Sequence, residues 1–194
     1  MMSLFLQIWG GSCYLLNKIL FSLAENQQKL LRKRLQLVGW VVYILGVPAW
    51  VIVLVSKDNW IAASIEAGGI PAMLLGLYNT YHDYLKPNRL FNAIVTVLTY
   101  TSLAFGVSVS LIHHHGLSSL SQVLEVGVML GFLFGSYLMA KRNPKGWLFF
   151  MLMNVSMASL MLLQDKWILM VQQLVSLMFV IYGYRQSVRK LSVH

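Results

Sequence analysis

The chain has 194 residues, 58% of them hydrophobic and 11% charged, with a formal net charge of +9 and a mean hydropathy of +0.66. A soluble domain carries roughly 25% charged residues, so the composition excludes water as the main solvent and indicates an all-α polytopic membrane protein. The single cysteine, Cys13, excludes an intramolecular disulfide and a cysteine metal site. The positive charge must be assigned to membrane sides before it can be read as a nucleic-acid signal.

In chain order, the first apolar run covers about 3–23 and is interrupted by Asn17 and Lys18. It lacks a basic leader and a clear small-residue cleavage site, so a span is expected rather than a signal peptide. Further runs at about 36–56, 60–79, 91–112, 120–139, 147–164 and 167–184 approach the roughly 20 residues that a hydrocarbon core requires. Seven spans are therefore expected, or six if the first segment lies on the membrane surface. Pro48 weakens the second run. Gly68-Gly69-Ile70-Pro71 interrupts the third, because proline removes a helix hydrogen bond and glycine allows a bend. His113-His114-His115 follows the fourth run. Neighbouring side chains do not converge easily on a metal, so a solvated loop is expected there. Gly127, Gly131 and Gly135 recur every fourth residue along the fifth run and form a ridge on which another helix can lie closely.

The basic residues set the orientation. Lys29, Arg32, Lys33 and Arg34 follow the first run; Lys86 and Arg89 the third; Lys141, Arg142 and Lys145 the fifth; Arg185, Arg189 and Lys190 the seventh. The opposite side holds only Lys57 and Lys166. By the positive-inside rule the rich side is cytoplasmic, which puts the N-terminus outside and the C-terminus inside.

An internal repeat organises these runs. Gly39-Trp40, Leu45, Asp58, Trp60-Ile61 and Gly76 return without a gap as Gly146-Trp147, Leu152, Asp165, Trp167-Ile168 and Gly183. Both copies start an outward-going run and turn at an Asp-x-Trp, so the repeat is parallel, and a parallel pair of three-span units needs one span between them. The expected layout is a first three-helix repeat at 1–84, a linker transmembrane helix at 85–119 and a second three-helix repeat at 120–194.

Polar residues inside spans are the candidate site. Glu66 lies about six residues into the third run and Glu125 about five into the fifth. A charge near mid-membrane costs a few kcal/mol and usually faces the protein interior or a water-filled cavity. The repeat offset pairs Lys18 with Glu125 and Glu66 with Gln173, which would set four polar positions around a central axis. Glu125 stands about 200° around its helix from Gly127, so that helix is expected to be buried on two sides. Trp147 and Asn154 share one helix face; Gln173, Ser176 and Gly183 share another. Such a lining suits a flat heterocycle bearing hydroxyls, with aromatics on the ring and amides on the polar groups. Asn154 is the stronger ligand candidate because it is near mid-span. Trp40, Trp60, Trp147 and Trp167 stand near span ends, where an aromatic belt is expected. No phosphate loop, nucleophile elbow, paired-histidine helix or cysteine pair is present, so neither an enzyme nor a cofactor is expected.

The second half resembles the PnuC-type nicotinamide riboside transporters, a vitamin-transporter family with SWEET-like architecture. The residues that carry the likeness are Glu125, Lys141-Arg142-Asn143, Gly146-Trp147, Asn154, Trp167, Gln173 and Ile181-Tyr182-Gly183-Tyr184. The first half is similar only through Gly39-Trp40, Asp58-Asn59-Trp60 and Gly76-Leu77-Tyr78. Ser176 stands where a tyrosine is expected, and Arg185-Gln186 where a tryptophan is expected, which marks a divergent member. The resemblance implies facilitated diffusion of a nucleoside-like vitamin through a bacterial cytoplasmic (inner) membrane. Substrate would be bound by Asn154, Gln173, Trp147, Glu66, Glu125 and Tyr182. The partners expected are the small-molecule substrate and the lipid bilayer, not nucleic acid, with homo-oligomers allowed. Transport of thiamine, riboflavin or a sugar, proton coupling through Glu66 or Glu125, and a non-transporting membrane scaffold are the alternatives.

Overall fold

Helices begin and end where the chain supplies local partners for the backbone. A computed structural model describes residues 2–56, 60–83, 88–113 and 119–191. In chain order the helices are α1 (Met2–Ala24), α2 (Lys29–Val55), α3 (Trp60–Gly68), α4 (Ile70–Tyr81), α5 (Arg89–His113), α6 (Leu120–Ala140), α7 (Lys145–Leu163) and α8 (Trp167–Leu191). Ser119 opens α6 with a capping box: its Oγ accepts from Gln122 N at 3.3 Å, and the Gln122 side chain accepts from Ser119 N at 3.2 Å. Two orphan N–H groups are thereby satisfied. Arg142 and Asp165 leave α6 and α7 with φ of 55°. Asn143 N and Lys166 N then reach back to Leu138 O and Met161 O, both at 2.9 Å, which closes each helix end.

The third expected span is two helices with Gly69 between them. Pro71 lies at the start of α4. It has no N–H for the carbonyl one turn earlier, and its ring crowds that carbonyl, so the α-helical ladder cannot run through. Gly69 N instead turns back to Glu66 O at 3.2 Å, and the ladder resumes with Met73 N on Gly69 O at 3.2 Å. Pro48, by contrast, is accommodated inside α2.

Among the described residues, five helices are long and apolar enough to cross a membrane: α2, α5, α6, α7 and α8. The protein is thus an all-α, multi-pass membrane-type bundle. α1 has 23 residues but carries Asn17 and Lys18, and the third run is divided at Gly69 into segments of 9 and 12 residues. Asp58, Lys57, Lys86, His114 and His115, all singled out in the sequence, lie outside the described residues.

The closest packing is of α1 along α2 and of α6 along α7. α3 and α4 lie on α2, α8 lies on α7, α1 touches α8, and α4 touches α6. α5 flanks α3, α4 and α6 and leaves Leu90, Ile94, Val97 and Phe105 exposed, as a lipid-facing helix would. Glycines decide how near the helices come. A Cβ on Gly131 would stand 2.6 Å from Met153 N and from Phe149 O; one on Gly127 would meet Ser156 Oγ at 2.4 Å, and one on Gly135 the Phe150 ring at 2.5 Å. The glycine ridge therefore seats α6 on α7.

The tryptophans required a correction. Trp40 and Trp147 are 2% and 1% exposed, so they are core residues and not interfacial anchors. The Trp40 ring covers Gly76 and the Trp147 ring covers Gly183, with distances of 2.3 and 2.6 Å to an added Cβ. Each glycine creates the hollow that an indole fills. Trp167 is 58% exposed, in keeping with the belt.

Candidate functional site

A narrow cleft of about 30 Å³ is lined from α1, α2 and α3 on one side and from α6, α7 and α8 on the other. At one end two glycines of α1 let polar-tipped side chains cross the helix. A Cβ on Gly10 would lie 2.8 Å from the Trp50 indole, and one on Gly11 would lie 2.6 Å from the Gln172 amide. Gln173 and Ser176 continue this wall along α8, and Met153 and Met157 supply a flexible apolar wall from α7.

One turn farther along α1, Tyr14 donates its hydroxyl hydrogen to Glu66 Oε2 at 2.6 Å. Its ring stacks on Phe132 of α6 with centroids 6.3 Å apart and meets Tyr43 edge-on at 5.0 Å. Gly46 of α2 makes room for Tyr14, since a Cβ there would stand 2.8 Å from the ring. Glu66 ends its carboxylate at the cleft two residues before the helix break, so α3 carries it into the space between the two groups of helices.

The far end is closed by Lys18. The residue is 1% exposed, and Nζ lies over the Phe150 ring, 3.2 Å from its centroid, and 4.4 Å from that of Tyr43. Among the described residues this buried Nζ has no hydrogen-bond partner. Tyr43 is held in turn by its hydroxyl contact with Ser136 Oγ at 3.1 Å. Asn17, beside Lys18, donates to Gly39 O at 3.1 Å, which fixes the rotation of α1 on α2.

Of the residues singled out in the sequence, Glu66, Gln173, Lys18 and Ser176 meet at this cleft. Trp147 and Asn154 are buried in the adjoining core. Asn154 donates to Phe150 O of its own helix at 2.7 Å, while its Oδ1 has no partner among the described residues. Glu125 is exposed on α6, and Tyr182 is 38% exposed on α8. Neither lines the cleft. The four-position ring around a central axis is thus not formed: Lys18 points inward and its repeat partner Glu125 points out. The glycine face of α6 has to meet α7, which turns a residue about 200° away toward the periphery. Sequence reasoning missed Tyr14, Trp50, Phe132 and Gln172. Tyr14 and Gln172 each stand on a lining face with residues already noted (Lys18, Gln173), but aromatic and amide side chains are common enough in spans that nothing marked them singly.

The arrangement offers ring faces, two amides, one carboxylate and one lysine N–H group around a narrow space. Among the described residues, no three His, Cys, Asp or Glu side chains come together as a metal site would require. Known protein families, curated proteins and solved structures yield no match to this chain.

Proposed function

We propose that this protein is a multi-pass membrane transporter that carries a small aromatic metabolite by facilitated diffusion, with nicotinamide riboside as the leading substrate. It lies in a bacterial cytoplasmic membrane, N-terminus outside and C-terminus in the cytoplasm. The observation that carries this reading is the cleft lined from both groups of helices by aromatic and polar side chains. Transporters built from parallel repeats place their sites at the repeat interface, beside broken helices. Here Glu66 stands two residues from such a break.

The repeat supports the same reading. Trp40 on Gly76 and Trp147 on Gly183 are equivalent pairs in the two copies, and both indoles fill the hollow of a glycine. α1 lies on α2 as α6 lies on α7, and α1 meets α8 as α6 meets α4. α5 then serves as the linker helix of a three-plus-one-plus-three layout. Rocking of one group against the other would expose the cleft to each side in turn. Asn79 donating to Ala140 O at 2.9 Å, and the Tyr43 hydroxyl contact with Ser136 Oγ at 3.1 Å beside the closed end of the cleft, tie the groups together.

In this cleft Trp50, Tyr14 and Phe132 would hold the ring faces. Gln172 and Gln173 would hydrogen-bond ribose hydroxyls, and Glu66 would face a positively charged ring. The test is uptake into proteoliposomes. Labelled nicotinamide riboside should enter saturably, run down its own gradient and equilibrate. Gln173→Ala and Glu66→Ala should each lower uptake about tenfold or more, the loss expected for one ligand hydrogen bond in a dry site. Competition by thiamine, riboflavin and sugars ranks the other substrates. Wild-type protein that carries none of these saturably is not a transporter of this kind.

A further inference from the structure

The most unusual group in the molecule is the amine of Lys18. Lysines in membrane-spanning helices ordinarily extend their stems toward the interface and keep the nitrogen wet. Lys18 stands six residues before the last residue of α1, Ala24, yet its nitrogen turns inward onto Phe150 and Tyr43. Two ring faces attract a cation, but they accept no N–H hydrogen bond of ordinary strength. Glu66, the acidic group of the cleft, accepts from Tyr14. Tyr43 and Phe150 stand at equivalent positions of the two repeat copies, 107 residues apart. Lys18 therefore rests on the seam between them.

A nitrogen so placed carries N–H groups whether it is an ammonium or an amine. Buried N–H groups without an acceptor are costly, and the usual resolution is an acceptor. The open space beside Lys18 is the cleft itself. Resting on the transport reading above, we infer that Lys18 Nζ is the donor that binds the leading end of the substrate. The substrate is accordingly an aromatic ring bearing a carbonyl-type acceptor, an amide or a carboxylate. Once rocking of the two groups widens the cleft, the ring lies against the Tyr14, Phe132 and Trp50 cluster, whose rings touch one another here, its acceptor points toward Lys18, and its hydroxyl-bearing end remains beside Gln172 and Gln173. Lys18 and the glutamines are at opposite ends of the lining: Gly11 is the α1 residue against Gln172, and seven residues of α-helix separate it from Lys18, about 10 Å. That length matches a ring with one substituent at either end.

Three probes that differ in one group test this: nicotinamide riboside (amide), nicotinic acid riboside (carboxylate) and the pyridine riboside that lacks the substituent. Uptake into proteoliposomes is measured for wild type, Lys18→Met and Lys18→Arg. The wild type should take at least one of the two acceptor-bearing probes with a KM about 10- to 100-fold below that of the unsubstituted one. Lys18→Met should raise that KM more than it raises the KM of the unsubstituted probe, until the difference between the probes disappears. Lys18→Arg, which keeps the donor, should retain most of the difference. Whichever of amide and carboxylate the wild type prefers identifies the acceptor. Equal KM values for all three probes in the wild type overturn the inference, and this arm needs no variant to fold. A Lys18→Met effect of the same size on all three probes also overturns it, since that is a structural role. In both cases saturable uptake leaves the transport reading standing. Absence of saturable uptake of every probe, and of thiamine, riboflavin and sugars, sinks both.

Discussion

Asp83 joins the end of α4 to α2. It leaves α4 with φ of 51°, a left-handed conformation that Asp and Asn tolerate better than most side chains. Its carboxylate accepts from Lys33 Nζ of α2 at 2.8 Å. The Lys33 hydrogen bond holds Asp83 below its ordinary 3.8; desolvation opposes it, and the charges of Lys33, Lys29 and Arg142 add to the lowering. A carboxylate depressed in the folded state contributes stability at pH above its unfolded value and loses it as pH falls through the folded value. The thermal midpoint of wild type should therefore exceed that of Asp83→Asn in detergent at neutral pH. The gap should close as pH is lowered below 3.8, the ordinary value. Salt should narrow it as well, because the pair is partly exposed to solvent. A gap that persists at low pH would show that the carboxylate's charge is not what joins α2 to the end of α4. At the same scale, Lys18 and Glu125, both charged residues within apolar runs, have opposite fates, one sealed against Phe150 and the other exposed.

At the scale of elements, the α6–α7 contact is decided by three glycines, which are not equivalent. Gly131 faces main-chain atoms of α7, whereas Gly127 and Gly135 face side-chain atoms of Ser156 and Phe150. A side chain can rotate away from an added methyl, but a helix backbone can only be pushed aside. Gly131→Ala should thus destabilise more than Gly127→Ala. Overpacking typically costs about 1–3 kcal/mol, and Gly131→Ala belongs at the upper end of that range, Gly127→Ala at or below the lower. Thermal unfolding of the two variants in one detergent gives the order; equal midpoints would mean that α6 and α7 are not pressed together at Gly131. The ridge was legible in the sequence because spacing by four always returns to one face of an α-helix. The division of the third span was legible for a similarly local reason, since Pro71 lacks an N–H wherever it is placed. What the spacing did not contain was the use of Gly76 and Gly183 as seats for Trp40 and Trp147. Near a span end an indole serves equally well as an anchor, and only the neighbouring helix determines whether it is wet or buried.

For the whole molecule, the basic residues collect at one end of the chain's expected path through the bilayer, and the topology that follows can be measured. With Cys13 replaced by Ser, single cysteines at Gln164 and at Asn143 should behave oppositely toward a membrane-impermeant maleimide in intact cells. Gln164, in the turn between α7 and α8, should label, and Asn143, between α6 and α7, should label only after the membrane is opened. The reverse pattern would invert the positive-inside assignment. The long apolar helices and the exposed apolar side chains of α5 make the bilayer the surrounding phase of this bundle.

The sequence by itself determined where the helices lie along the chain, the break before Pro71, the glycine ridge of α6 and the membrane class. Each of these depends on hydropathy, spacing or the covalent structure of one residue, and none requires knowledge of a neighbour. Only the tertiary structure decided which polar side chains share a space. A helix advances about 100° per residue, so its rotation, set by what packs against it, sends one candidate inward and another out. Lys18, Glu66 and Gln173 were turned to the cleft beside Tyr14, while Asn154 and Trp147 went to the core and Glu125 and Tyr182 to the surface. Close packing of α6 on α7 and of α1 on α2 set those rotations, through contacts between residues far apart in the chain that no local pattern could specify.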